Sequence, residues 1–337
     1  MALSTDRPAP TRARDGADRP ARDGAPEGAW QLARALWGFS RGTQATLSVA
    51  QPLLGALLAD PDPPPGRLAL CLVACVAGYF AVFAANDLID ARLDRERFAC
   101  LRAYEGFDID GAGGRHPLAQ GRLSLAAGVA WVALLGSVSL VLWALLHWVC
   151  AVLLVVAALL EALYCVLARV TEWKFLLTGV LVACGGCLGW FAMTPAVDRP
   201  VLWLFCVWLA AWEIGGRNIV NDWADVEEDV HLGVRTVPLR HGPRVSAALT
   251  FGSLAVAAVA GAGMLLGVWP AHGLLGPAAT CAMLALSGWA LIAPGLRLLR
   301  APGPEHAMAL FNRASLYPAA ALGIVVAALL ARHALPA

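Results

Sequence analysis

From residue 36 onward the chain is a succession of long apolar stretches separated by short polar ones. The stretches run 36–58, 67–85, 123–146, 148–168, 175–195, 200–220, 246–268, 273–296 and 307–331. Each is close to the roughly 20 residues that a helix needs to cross the hydrocarbon of a bilayer. The pattern therefore predicts an all-α integral membrane protein with about nine transmembrane helices. The third and fourth stretches are divided only by a turn at His147. Residues 1–28 are rich in Arg, Asp, Ala, Pro and Gly and have no apolar period, which predicts a disordered tail. The remainder, 29–337, reads as one transmembrane domain. The tail has no apolar core of the secretory-signal kind, so the first span is expected to be retained.

The polar connections alternate in charge. Arginines precede the first span, and they recur after the second (Arg92 to Arg122), fourth (Arg169, with Lys174), sixth (Arg217, Arg235, Arg240, Arg244) and eighth (Arg297, Arg300, Arg313). The alternate connections carry only Arg67 and Arg199. By the positive-inside rule this predicts a cytoplasmic N-terminus. The two longest connections, about 86–122 and 217–245, then lie on the same cytoplasmic side as lid-like loops.

Composition narrows the class further. Hydrophobic residues make up 59% of the chain and charged residues 15%, against roughly 25% charged in an ordinary soluble domain. A soluble globular domain is excluded on those values, and a net charge of +1 gives no global field for nucleic acid. Nine cysteines are scattered through mostly apolar runs, where Cys packs as a small hydrophobe. Cys184-Gly-Gly-Cys187 has the spacing of a redox motif but falls within a span, and it is read as packing.

The chemistry is concentrated in two copies of one pattern. Asn86-Asp87-Leu88-Ile89-Asp90 continues to Asp94, and Asn221-Asp222-Trp223-Ala224-Asp225 continues to Asp229. Both fit N-D-x-x-D-x-x-x-D, and each begins where an apolar span ends. On a helix, aspartates at i, i+3 and i+7 share one narrow face. Three carboxylates so placed repel one another unless a cation lies between them. Magnesium takes one or two carboxylates together with substrate phosphate oxygens, so two such faces opposed across a helical bundle can hold a diphosphate between metal ions. Each motif is followed by P-L-x-x-G and then Arg, at Pro117 to Arg122 and at Pro238 to Arg244, as in a weak internal duplication.

A diphosphate also needs cations from the protein, and the planar Arg fork suits phosphate. Arg115, Arg169, Lys174, Arg217 and Arg235 all lie near span ends on the aspartate side, and Arg217 precedes Asn221 by four residues, one helical turn. Thr236 adds a hydroxyl donor.

These residues resemble the UbiA-type membrane prenyltransferase superfamily over about 36–330. Beside the two aspartate motifs, Gly233-Val234-Arg235-Thr236-Val237-Pro238 resembles the family's G-x-[KR]-T-x-P. Tyr164 to Thr171 resembles its Y-x-x-x-K-R-x-T. The resemblance implies nine helices ringed around a central cavity that opens laterally to lipid. It implies magnesium-dependent transfer of an isoprenyl group from its diphosphate to an aromatic or other lipid-soluble acceptor. Asn86, Asp87, Asp90 and Asp94 are expected to bind one magnesium, and Asp222, Asp225 and Asp229 the other. Three features depart from the family pattern. Ala168 stands where the family often has Lys, so Arg169 or Lys174 must supply that charge. Arg115 is shifted by one place from the family's N-R-P-L. The segment between Asp94 and that element is longer than usual, carries Asp108 and Asp110, and reads either as an enlarged lid or as a surface insertion.

Ionisation of the diphosphate would leave an allylic cation. Tyr79, Phe83, Trp190, Phe191 and Trp212 lie in spans that could present ring faces to it, although each is first read as ordinary packing or an interfacial belt residue. Two other activities share parts of this pattern. A membrane terpene cyclase of the same superfamily would act on the prenyl diphosphate alone. A divalent-cation transporter would place acidic ligands near the bilayer midplane, whereas these carboxylates lie at span ends beside Arg-rich loops.

Overall fold

The computed structural model describes residues 26–118, except 101–116, and 120–334, except 269–273. The first 25 residues, which hold most of the expected tail, and Arg115 lie outside the described residues. The same is true of the side chains of Asp90 and Asp94, although the backbone that carries them is described.

The fold is helical throughout the described residues. Its elements are α1 (Pro26–Phe39), α2 (Gly42–Ser48), α3 (Ala50–Ala59), α4 (Pro65–Cys100), α5 (Leu125–Leu146), α6 (Trp148–Leu167), α7 (Phe175–Met193) and α8 (Pro200–Glu213). A π-helical turn, Ile214–Asn218, then leads to α9 (Ile219–Ala224) and α10 (Val226–Leu232). The chain ends with α11 (Val237–Val268), α12 (Leu275–Ser287), a second π turn (Gly288–Ile292), α13 (Ala293–Arg300) and α14 (Pro304–Ala334).

Among the described residues, 7 helical stretches are long and apolar enough to cross a membrane: Pro65–Ile89, Leu125–Leu146, Trp148–Leu167, Glu172–Met193, Val237–Val268, Leu275–Arg300 and Pro304–Ala334. They coincide with seven of the expected spans. The other two expected spans are not among them. The first is divided at Arg41, a non-glycine residue with φ 44, which turns α1 into α2. The sixth runs on helically from α8 through the π turn Ile214–Asn218 into α9, but Glu213 and Arg217 interrupt its apolar character. Apolar pattern reports hydrophobic content but not a local change in helical pitch or hand, so neither the turn at Arg41 nor the π turn is visible in it. The turn between α5 and α6 does fall at His147, whose extended backbone (φ −165) ends α5 and whose Nδ1 accepts from the Val149 N–H at 3.3 Å.

Part of the first expected loop and most of the second are helical. α4 runs past the first motif without a break as far as Cys100, about fifteen residues beyond the start that the apolar pattern suggests for the connection. In the second, α9, α10 and the start of α11 leave only Asp225 and Gly233 to Thr236 outside helix. Gly233 (φ 68) caps α10 in the left-handed conformation that glycine adopts at least cost. Gly242 (φ 77) kinks α11 just before Pro243.

Helices adjacent in sequence pack in succession from α4 to α8. α8 meets α11, α11 meets α12, and α14 packs back on α2 and α3. Three buried tryptophans of the interior have satisfied indole N–H groups. Trp208 donates to Tyr317 Oη (3.1 Å), Trp212 to the Ala314 carbonyl (2.8 Å) and Trp190 to the Ala196 carbonyl (2.9 Å). Trp190 and Trp212 are therefore core residues, 0% and 1% exposed. The outward faces are apolar: Leu145, Leu159, Val166 and Val259 are all well exposed. That is the reverse of a water-soluble surface and suits lipid.

Small residues set the tightest contact. A Cβ on Gly189 of α7 would overlap the Pro52 carbonyl of α3, and one on Gly55 would overlap the Gly186 carbonyl. Backbones approach this closely in membrane bundles only where side chains are absent. Gly189→Ala is expected to destabilise the folded protein by about 1–3 kcal/mol, measured as a lower thermal midpoint by tryptophan fluorescence in detergent. Gly252→Ala, where no atom lies within 4 Å of the added carbon, is the control and should not fall. Equal midpoints for the two variants would refute the close α3–α7 contact.

Candidate functional site

The second aspartate motif is the better defined. It begins one turn after the π turn, in α9, and crosses a bend at Asp225 (φ −101, ψ 8) into α10. Its three carboxylates thus occupy two short helices and not one straight face, which corrects the single-helix geometry expected from spacing. The Asp229 N–H still bonds the Asp225 carbonyl at 2.8 Å, so the bend is tight. Asp222 and Asp229 are buried, and Asn221 Nδ2 donates to Asp225 Oδ2 at 3.0 Å.

Lys174 is buried at the start of α7 and lies close enough to Asp222 to influence its ionisation. Its ammonium meets Tyr164 Oη at 3.4 Å and stands 4.6 Å from that ring's centroid. Asn218, one turn before Asp222, donates from Nδ2 to the same Tyr164 oxygen at 3.3 Å. Tyr164, Asn218, Lys174 and the aspartates therefore form one polar cluster beyond the end of the apolar stretch. Tyr164 is the tyrosine of the Y-x-x-x-K-R-x-T resemblance, whereas Asn218 was not singled out by motif reading. The four-residue spacing of Asn218 before Asp222 was the available signal.

Burial raises the Asp222 carboxyl well above the usual carboxylate range. Lys174 pulls it back, while Asp229 and then Asp225 push it further up. A single lysine does not offset three acids in this environment. Asn218 Oδ1, Trp223 Nε1 and Thr236 Oγ1 are also buried without a hydrogen-bond partner among the described residues. Buried polar atoms are nearly always paired, and Asn218 Oδ1 is left open beside the Tyr164 contact that ties Asn218 to Lys174. Among the described residues, no group of three or more Asp, Glu, His or Cys side chains is already drawn together around a metal position. The donor chemistry nevertheless fits magnesium, because the carboxylate oxygens are hard ligands and their mutual repulsion calls for a cation.

The remaining expected residues are placed as follows. Asp87 is 1% exposed near the end of the apolar part of α4, and Asn86 is half-buried beside it. Asp90 and Asp94 continue the same helix. Arg217 lies in the π turn, where the wider turn directs its side chain to α14: it donates to Ser315 Oγ and stacks 4.4 Å from the Phe311 ring. Arg169 is exposed. Arg235 ties two connections together: its N–H bonds the Ala168 carbonyl at 2.8 Å and its guanidinium the Val170 carbonyl at 2.7 Å. His241 adds a 3.1 Å contact to Glu172 across the same seam. Thr236 is buried at 1% exposure. Of the aromatic candidates, Tyr79 is half-buried, donates to Gln51 Oε1 at 2.9 Å and stacks on Phe83.

Comparison with known proteins places this arrangement. The sequence model of the UbiA prenyltransferase family matches residues 48–316. No curated protein matches the chain in sequence. Among solved structures, an apo UbiA homolog from Aeropyrum pernix K1 superposes with a TM-score of 0.65 at 18% identity, covering 86% of this chain and 98% of its own. A UbiA homolog from Archaeoglobus fulgidus bound to DMAPP and Mg2+ gives 0.63 at 14% identity, covering 88% and 99%. A digeranylgeranylglyceryl phosphate synthase gives 0.61 at 19% identity, covering 90% and 98%. At these identities the structural matches speak to the fold.

Because the raised Asp222 carboxyl holds its proton to a higher pH than an ordinary carboxylate, cation binding must displace that proton. Apparent magnesium affinity is expected to rise with pH until Asp222 is ionised, and to plateau above that point. Calorimetry in buffers of differing ionisation enthalpy should show proton release, and Asp222→Asn should abolish it. A binding enthalpy independent of buffer would contradict this account.

Proposed function

The chain belongs to the UbiA prenyltransferase family, and we propose that it transfers an isoprenyl group from an isoprenyl diphosphate to a lipid-soluble acceptor, aromatic or otherwise, with magnesium as cofactor. The observation that carries this reading is the buried acidic cluster of Asp222, Asp225 and Asp229 around Lys174 and Tyr164, at the end of an apolar bundle. The relative bound to DMAPP and Mg2+, and the same homolog bound to GPP and Mg2+, support a prenyl diphosphate as the donor.

In this reading Asn86, Asp87, Asp90 and Asp94 hold magnesium from α4, and Asp222, Asp225 and Asp229 hold it from α9 and α10. Magnesium, when bound, neutralises the diphosphate and makes it a better leaving group. Lys174 contributes the protein's own positive charge and is fixed by Tyr164 for that role. Thr236 and Asn218 supply neutral polar contacts to the diphosphate. Arg115, Arg217 and Arg235 complete the basic surround, Arg235 chiefly by holding the α6–α7 turn against the start of α11. Arg169, exposed to solvent, attracts the anionic substrate from a distance. Charge stabilisation of this kind is the main lever on a dissociative step. The apolar bundle then keeps water from the cation that departure of the diphosphate leaves behind.

Half-buried Tyr79 and its buried partner Gln51, with buried Gln44 and Ser48 on α2, offer polar contacts for an acceptor headgroup within an otherwise apolar interior. The interrupted segments α1–α3 and α8–α9 bring the crossings to nine, within a transmembrane domain spanning 29–337 after a 28-residue tail. The aspartate motifs face the cytoplasm together with the N-terminus, as the arginine distribution requires.

The assignment is tested with full-length protein in lipid nanodiscs, supplied with magnesium and dimethylallyl or geranyl diphosphate, by following diphosphate release and product mass. Asp90→Ala and Asp225→Ala are expected to lose at least about 100-fold in turnover, and Lys174→Met about 10- to 100-fold, by analogy with loss of a charge-stabilising donor. Arg169→Ala should stay within a few-fold of wild type. Folded aspartate variants with unchanged turnover would remove the assignment. Diphosphate release with a cyclised product and no acceptor would move the chain to the cyclase branch.

A further inference from the structure

A second chemically active feature lies well away from the acidic cluster and does not depend on the reading of it. Cys187 of α7 and Cys206 of α8 place their sulfur atoms 3.4 Å apart. In sequence, Cys187 has redox-motif spacing to Cys184, three residues away on one helix, and that spacing was read as packing. The tertiary fold sets Cys187 against Cys206 across the helix interface. The reason is close packing: a side chain at Gly186, beside Cys187, would overlap Leu209 of α8 and crowd Phe205.

The pair opens onto a cavity of about 370 Å³ lined by Leu153 from α6, by Val180, Cys184 and Phe191 from α7, and by Val207 and Ala210 from α8, among others. Val180 and Val207 are 51% and 46% exposed, so the cavity is on the flank of the bundle that faces lipid. Cys187 is six residues in from Met193 and Cys206 six in from Pro200. At 1.5 Å per residue, both thiols are therefore about 9 Å from the helix ends and at the same depth. That depth is within the hydrocarbon, where charged oxidants such as glutathione disulfide do not reach and lipid-soluble ones do.

We propose that Cys187 and Cys206 form a reversible dithiol–disulfide pair whose oxidant is a lipid-soluble quinone entering this cavity. Both S–H bonds break and one S–S bond forms. The two thiols lose two electrons and two protons, and the quinone takes up both to become its hydroquinone. The sulfurs must close from 3.4 Å to about 2.05 Å, a small movement for two helices already in contact. The disulfide would covalently staple α7, which begins directly after Lys174, to α8, which leads into the π turn and the second aspartate motif. It thereby fixes the spacing of two elements that carry the acidic cluster. The cavity is of the size that accepts a small ring, and its apolar lining matches a quinone better than any water-soluble oxidant.

The test uses the reduced full-length chain in lipid nanodiscs under anaerobic conditions. One sample receives a benzoquinone whose ring carbons are all substituted, so that it cannot add thiols, and another receives glutathione disulfide at the same concentration. Chymotryptic peptides are then analysed by mass spectrometry without reduction. The expected result is a Cys187–Cys206 cross-linked peptide with the quinone, at least 10-fold more abundant than with glutathione disulfide and reversed by a membrane-permeant thiol. Cys187→Ser and Cys206→Ser should each abolish the cross-link, and Cys184→Ser should retain it. Absence of the link in wild type, a link to Cys184 instead, or equal yield with glutathione disulfide would overturn the proposal. Because the readout is the cross-link, it stands or falls separately from prenyl transfer.

Discussion

The constraint on which the rest of the structure turns is the placement of three carboxylates, Asp222, Asp225 and Asp229, at the edge of a low-dielectric bundle with one buried lysine beside them. Taking a carboxylate out of water is costly, and like charges nearby make it more so. The protein meets part of that cost locally. Lys174 lies near Asp222, Asn221 binds Asp225, and Tyr164 links Lys174 to Asn218. The rest is left outstanding, as the raised Asp222 carboxyl shows. A carboxyl held well above the usual range beside two further acids is an unbalanced cluster, and the proposed function balances it with a divalent cation and a polyanion.

Several features of the fold follow as the means of holding that cluster in place. The π turn Ile214–Asn218 inserts extra length into the helix just before the aspartates and sends Arg217 across to Ser315 and Phe311 on α14. The bend at Asp225 then redirects the chain into α10. On the facing side, the backbone and guanidinium of Arg235 bind the Ala168 and Val170 carbonyls, and His241 meets Glu172. Those contacts fix the turn that presents Lys174. The buried tryptophans of α7 and α8, each with its indole N–H satisfied, make the underlying bundle rigid. A site that must align groups from separate helices benefits from such support.

The tight α3–α7 and α7–α8 contacts have a second consequence. Glycines at 55, 186 and 189 let backbones touch where side chains would hold them apart. The same approach that packs the bundle brings Cys187 against Cys206. One packing device thus serves both the stability of the bundle and a possible chemistry on its lipid-facing flank.

The sequence alone determined the membrane setting, the helical class and the location of the acidic chemistry. Apolar run length is set by bilayer thickness, and seven of the nine runs are long apolar helices. Repetition of N-D-x-x-D-x-x-x-D singled out Asp87 and Asp222, and both are buried. The sequence could not show that α4 continues helically past its motif to Cys100, that the second motif bends at Asp225, that the first run is broken at Arg41, or that the sixth takes a π turn before its motif. It also named Arg169, Lys174 and Arg235 together as phosphate partners, whereas the fold exposes Arg169, commits Arg235 to backbone carbonyls and buries Lys174 beside Asp222. The physical reason is common to all of these. Hydrophobic period and residue type report what a segment wants from its solvent. Local pitch, the direction of a long cationic side chain and the pairing of residues 19 positions apart, as in Cys187 and Cys206, are settled only when neighbouring helices compete for the same space.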